Sequence, residues 1–179
     1  MSLRSVLAVL LLAGTGSAAV AEPSLVIVVR HAEKASGPGV DPGLSATGQA
    51  RASALADVLA DGGIDAILTT QYRRTRDTAA VLAQQLGIVP GVIDARRGDT
   101  ATHVAEVADA VRAESGRVLV VGHSNTVARI VVALGGPDLP DLCETSYGHA
   151  FVLVPGPDKA SLLRLRYGTA DPPAGEGCL

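Results

Sequence analysis

Three short polar clusters, each placed just after a strand-like run, hold the residue types that could do chemistry. Arg30 and His31 follow residues 25–29, Arg73 and Arg74 stand in QYRR after residues 64–70, and His123 and Ser124 stand in VGHSNT after residues 117–121. Guanidiniums and imidazoles brought to one place repel one another unless an anion lies between them, each like-charge contact costing on the order of 1 kcal/mol outside bulk water. A phosphate is the natural anion. Arginine forks match its oxygens two at a time, and a helix starting at Arg73 or Ser124 would aim backbone N–H groups at it.

For these clusters to meet, the chain must bring three strand ends to one edge. The β-rich runs at residues 24–29, 64–70, 88–94 and 117–121 alternate with helical segments at 45–63, 74–87, 101–116 and 125–136. Ser45 reads as the N-cap of the first helix, and Gly87 and Gly116 read as stops. Two further β-rich runs, 149–155 and 161–167, close the domain around the turn GPDK. Strand and helix in strict succession imply an α/β fold, a three-layer α/β/α sandwich with a mainly parallel central sheet. Along the carboxyl edge of such a sheet ligands bind, and there the three clusters should converge.

Composition narrows the function further. The first 21 residues carry one base, Arg4, then an apolar core too short to span a bilayer, and AVA before Glu22. This reads as a signal peptide, which makes the mature domain residues 22–179 periplasmic or secreted, with no stable membrane anchor. That length suits one domain with a proper core and not two. The formal charge is −3, there is no block of Lys or Arg, and only three Tyr and one Phe supply aromatic rings, so a basic nucleic-acid face is excluded. Any anion must be held by a local cluster, because the overall field repels it. Cys143 and Cys178 are free to pair in an oxidising compartment, which would tie the tail DPPAGEGCL to the body of the domain.

The chain resembles the histidine phosphatase superfamily, the phosphoglycerate-mutase-like fold, in its short-chain branch. RHAEK matches that family's Arg-His-Gly signature, LSATGQA its Leu-Ser/Thr-x-x-Gly helix start, QYRRTRDTA its Arg-Ala-x-x-Thr-Ala segment, and VGHSNT its second Gly-His, in the family's order. The resemblance implies that His31 is the nucleophile that takes the phosphoryl group, and that Arg30, Arg74 and His123 hold its oxygens with help from Ser124. It implies a small phosphorylated substrate and neither cofactor nor metal. Arg74 rather than Arg73 aligns with the family arginine, because RTRDTA keeps the spacing to Thr78 and Ala79; Arg73 is then a solvated neighbour or a substrate contact. A neutral imidazole is a competent nucleophile when its other nitrogen is fixed as a donor, and nearby cations keep it neutral. Those cations also stabilise the transferring phosphoryl group.

Ala32 stands where the family has glycine, and no motif marks the general acid. Asp99, just before a helix, is one candidate and is equally suited to capping that helix; Glu33 and Glu144 are the others. Tyr72 is placed to line the substrate entrance, while His103 and His149 read as structural. A serine hydrolase is the sharpest rival, since GHSNT nearly spells a nucleophile elbow at Ser124, but Thr126 replaces the second glycine and Arg30, His31 and Arg74 go unexplained. A metal site using His31, Glu33 and His123 is opposed by the arginines. An exported phosphate-binding domain without turnover is the non-enzymatic alternative.

Overall fold

The computed structural model describes residues 22–179; the leader expected at residues 1–21 lies outside them. A six-stranded sheet runs in the order β3-β2-β4-β1-β5-β6. Its strands are β1 (Pro23–Arg30), β2 (Ala66–Thr69), β3 (Gly91–Val92), β4 (Gly116–Gly122), β5 (His149–Val154) and β6 (Ser161–Arg166). The first four are mutually parallel, and β5 and β6 add antiparallel at one side. The run expected at 88–94 yields only a two-residue strand, because Pro90 can donate nothing to a ladder.

Helices α1 (Ala46–Leu59), α2 (Arg73–Leu86), α3 (Thr100–Ala113) and α4 (Val127–Ala133) cover both faces of the sheet. Alternation along the central strands divides the core in two. Val26 and Val28 of β1 and Val118 and Val120 of β4 pack with Val107 and Ile130 of α3 and α4. Their strand neighbours Ile27, Val29, Leu119 and Val121 pack with Leu55 and Leu82 of α1 and α2. Full burial of each such aliphatic side chain contributes roughly 1.5–3 kcal/mol. The result is the three-layer sandwich, with the β1 and β4 carboxyl ends fixed deep in its centre.

Local chemistry sets the helix ends that matter for the site. Ser45 caps α1 by accepting from the Gly48 N–H at 3.1 Å. Gly48 itself packs against the backbone of residue 33, where a Cβ would run into the Glu33 carbonyl. Gly87 closes α2 at φ 68°, a left-handed conformation suited to glycine. Helix α4 begins at Val127, three residues later than a start at Ser124, because the Thr126 hydroxyl accepts from the His123 N–H and holds the intervening turn.

Candidate active site

Strands β1 and β4 run in register to their ends, Arg30 opposite Gly122, and the His31 N–H continues the ladder to the Gly122 carbonyl at 2.9 Å. His31 and His123 therefore leave the sheet side by side, with ring centroids 5.4 Å apart at an edge-on angle of 66°. Both are buried. The His31 Nδ1–H donates to the Ala32 carbonyl at 2.8 Å, which leaves Nε2 with the lone pair and, among the described residues, without a protein partner. Behind the ring, the Ala32 N–H donates to Thr78 Oγ1 at 2.8 Å, and that hydroxyl donates to the Arg74 carbonyl at 2.7 Å. One buried threonine thus couples the backbone of the His31 segment to the start of α2.

His123 is oriented from two sides. Arg74 Nη2 can only donate, so at 3.4 Å it makes His123 Nδ1 the acceptor, and Nε2–H donates to Thr70 Oγ1 at 3.2 Å. Thr70 passes the chain on to Thr75 Oγ1 at 2.9 Å, which ends on the Tyr72 carbonyl at 2.8 Å. Burial is the first cause that lowers both imidazoles to about 3; at His31 the Ala32 hydrogen bond partly opposes this while Arg30 and Arg74 add to it, and at His123 the neighbouring His31 and then Arg74 lower it further. Both rings are consequently neutral at ordinary pH, the state a nucleophilic nitrogen requires.

Arg74 lies over the Tyr72 ring at 4.2 Å, and Tyr72 stands edge-on to His123 at 5.6 Å. Arg73 is directed elsewhere, towards Asp77 and Gly43, in keeping with the spacing that favours Arg74. The α2 N-terminus, expected to face an anion, is instead closed: the Arg73 N–H donates to both carboxylate oxygens of Asp41, at 3.0 and 3.1 Å.

Arg30 has a second task. Its Nη1 donates to the carbonyls of Cys143, Glu144 and Ser146 at 2.8, 3.0 and 3.1 Å, its Nη2 pairs with Glu144 Oε2 at 2.9 Å, and its plane lies 4.1 Å from the Tyr147 ring. Only Nε, buried, has no partner. The loop it gathers is pinned from the other side by the Cys143–Cys178 disulfide, the pairing left open by the sequence. Glu144 in turn accepts from Ser124 Oγ at 2.6 Å. Ser124 is thus paired with a carboxylate rather than a histidine, which is not the arrangement of a serine nucleophile.

The three candidate acids separate cleanly. Asp99 caps α3, accepting from the Thr102 N–H at 3.1 Å, is exposed, and does not line the cavity; the Thr102 side chain first, and then its N–H, lower the pKa of Asp99. Glu33 is taken by Arg51 at 2.8 Å in a cluster with Asp171, so the donor set His31, Glu33 and His123 is not assembled. Glu144 is the acid that reaches the cavity. Its pKa is lowered, first by the Ser124 hydrogen bond and then by Arg30.

These groups line a cavity of about 320 Å³ with Arg30, His31, Arg74, His123, Ser124 and Glu144 on its wall. Tyr72 and His103 line it too; His103 donates from Nδ1 to the Asp94 carbonyl at 3.1 Å, while His149 stacks on Phe151 away from the cavity. Sequence reasoning had no signal for Thr70, Thr75 or Tyr147, whose parts rest wholly on neighbours distant in the chain. Thr78 could be found through its spacing from Arg74.

Residues 26–97 match the sequence profile of the histidine phosphatase superfamily (branch 1). A 68-residue segment is 43% identical to Rv0525, an uncharacterized protein of Mycobacterium tuberculosis, covering 35% of this chain and 34% of that one. The match thus spans about a third of that relative's length. Among solved structures, SixA of Agrobacterium tumefaciens, assigned as a phosphohistidine phosphatase, is similar at 26% identity and a TM-score of 0.62, over 79% of this chain and 97% of that chain. The mycobacterial glucosyl-3-phosphoglycerate phosphatase Rv2419c in complex with VO3 has a TM-score of 0.61 at 18% identity, over 81% of this chain and 100% of that chain, and so shares the fold. The same holds for a protein histidine phosphatase SixA complexed with tungstate, at 17% identity and a TM-score of 0.62, over 79% and 96% of the two chains.

Proposed function

We propose that this chain, whose residues 26–97 match the histidine phosphatase superfamily, acts as a member of it and hydrolyses phosphomonoesters through a phosphohistidine at His31 Nε2. The observation that carries this reading is a neutral imidazole, its Nδ1 bound to the Ala32 carbonyl, in a cavity it shares with Arg30, Arg74 and His123. The Nε2 lone pair attacks phosphorus, an N–P bond forms, and the P–O bond to the leaving group breaks. In this scheme Arg74 and Arg30, both on the cavity wall, offset charge on the equatorial oxygens. Water then attacks the phosphohistidine, releasing phosphate and restoring the imidazole.

Glu144 is the proton donor to the leaving oxygen in this scheme. Before substrate binds, Ser124 first and then Arg30 favour its carboxylate. A bound phosphoryl group competes for Arg30 and repels that carboxylate, and both effects raise its affinity for a proton. The protein acts outside the cytoplasm in this reading, supported by the leader-like residues 1–21 and by the Cys143–Cys178 bridge, which persists in oxidising compartments. Small phosphorylated molecules, including phosphoanhydrides and phosphohistidine, are the substrate class.

The test is a chromogenic or labelled phosphomonoester incubated with the mature protein. Turnover should pass through an acid-labile, alkali-stable phosphoenzyme that His31→Ala abolishes. Phosphate binding without label or turnover would point instead to a binding domain, and label on Ser124 would overturn the assignment of the nucleophile.

A further inference from the structure

Deepening the phosphatase reading, and resting on it, we propose that the leaving group of the substrate carries a second phosphoryl group, held by Lys34 and Arg97 where the reaction cavity opens into its neighbour. That neighbouring cavity, about 510 Å³, is bounded by the loop around residues 34–42 and shares Lys34, Tyr72, Arg74 and Arg97 with the reaction cavity. The two spaces meet at these four shared residues.

Charge is what makes the junction unusual. No carboxylate lines the second cavity, and Glu144 is the one carboxylate on the wall of the first. Arg96, also on that wall, is matched by Glu106 at 2.6 Å, and Arg74 has Asp41 at 3.9 Å. Lys34 and Arg97 have no carboxylate within ion-pair distance among the described residues. One transferring phosphoryl group engages Arg74 and Arg30, and leaves these two cations on the shared wall of the two cavities without an anion. A neutral leaving group would gain nothing from them. In a chain of formal charge −3, an unmatched pair of bases beside the reaction centre is complementary to a second anion.

Arg97 is also held in place. Its loop is clamped by Gln71, whose Oε1 accepts from the Ala95 N–H at 2.7 Å and whose Nε2 donates to the Ala95 carbonyl at 3.1 Å. Arg97 shares the wall of both cavities with Tyr72, the ring that carries Arg74 on its face. Tyr72 thus stands with both guanidiniums where the cavities meet, one guanidinium for each phosphoryl group. Lys34 lies close enough for its charge to act on both His31 and Glu144. Binding energy from the second group, applied remote from the breaking bond, would orient the scissile phosphorus against His31.

The experiment compares kcat/KM of the mature protein for propyl phosphate and for propane-1,3-diol bisphosphate, which differ in the second anion. The bisphosphate should be preferred by roughly tenfold at low salt, beyond the statistical factor of about two for its equivalent ends, and added salt should shrink the preference. The double variant Lys34→Met with Arg97→Met should bring the ratio back to the statistical value, while Lys34→Arg should keep most of it. A wild-type ratio at the statistical value, or a preference that survives the double variant, overturns the second site while propyl phosphate turnover upholds the phosphatase reading. Absence of turnover and of a phosphoenzyme with both compounds overturns both.

Discussion

Breaking the Cys143–Cys178 bridge should loosen the active site as well as the fold. The bridge closes a loop over a sequence separation of 35. The chain-entropy relation assigns such a loop about 4 kcal/mol, a large share of the roughly 5–15 kcal/mol by which domains of this size are stable. The structure shows where the slack would appear. Cys143 N–H donates to the Leu179 carbonyl at 2.8 Å and Leu179 N–H to the Asp141 carbonyl at 3.1 Å, so the tail braces the loop from outside. From inside, Arg30 holds the carbonyls of residues 143, 144 and 146, and Glu144 with them. Without the bridge, hydrogen bonds and the packing of Leu179 against the core are what keep these two sides together. The variant Cys143→Ala with Cys178→Ala should unfold in urea with a free energy lower by about 4 kcal/mol, and at denaturant-free conditions kcat/KM for a chromogenic phosphomonoester should fall several-fold. An unchanged urea midpoint would refute the stability claim. A lowered midpoint with unchanged kcat/KM would refute the claim that the bridge positions Arg30 and Glu144.

Thr78→Val should leave the Ala32 N–H unpaired in the core, costing about 1–3 kcal/mol and lowering kcat more than it alters KM; equal loss in both would refute its role in positioning His31. For acid stability the sign follows from the two depressed imidazoles: the unfolded chain takes up protons as pH falls through 6.5, the folded chain does not until about 3, so stability is full above 6.5 and drains between those values. At pH 5 each such imidazole removes about 2 kcal/mol, a loss that urea titrations at pH 7 and pH 5 would measure and that His123→Asn should reduce. By the same token the acid limb of kcat/KM should show no enzyme group near 6.5, and a limb that vanishes in His123→Asn would contradict this. Glu144→Gln should slow esters with poor leaving groups much more than a nitrophenyl ester, whereas Asp99→Asn should lower the melting temperature slightly and leave that selectivity unchanged.

Much of the fold was legible because its signals are local. Strand runs such as residues 25–29 and 118–121 are continuous in apolar residues, as strands buried on both faces must be. Ser45, Gly87 and Asp99 mark helix ends through interactions that reach only three or four residues. The convergence of Arg30, His31, Arg74 and His123 was equally accessible, since parallel strands deliver their carboxyl ends to one edge whatever lies between. The α2 N-terminus was misjudged because its N–H is taken by Asp41, 32 residues earlier.

What the sequence determined by itself, then, was the layering of the domain and the set of basic groups at its centre, because periodicity and strand direction are properties of short stretches of chain. What only the tertiary structure decided was the assignment of each polar group's partners. Asp99 turned out to cap a helix, Glu33 to serve Arg51, and Glu144 to enter the cavity with Ser124 and Arg30. Nothing in the neighbourhood of a carboxylate in the chain says which of several cations it will meet. Hydrogen bonds and ion pairs act over a few ångströms, and folding brings residues more than a hundred positions apart, as Arg30 and Glu144 are, within that range.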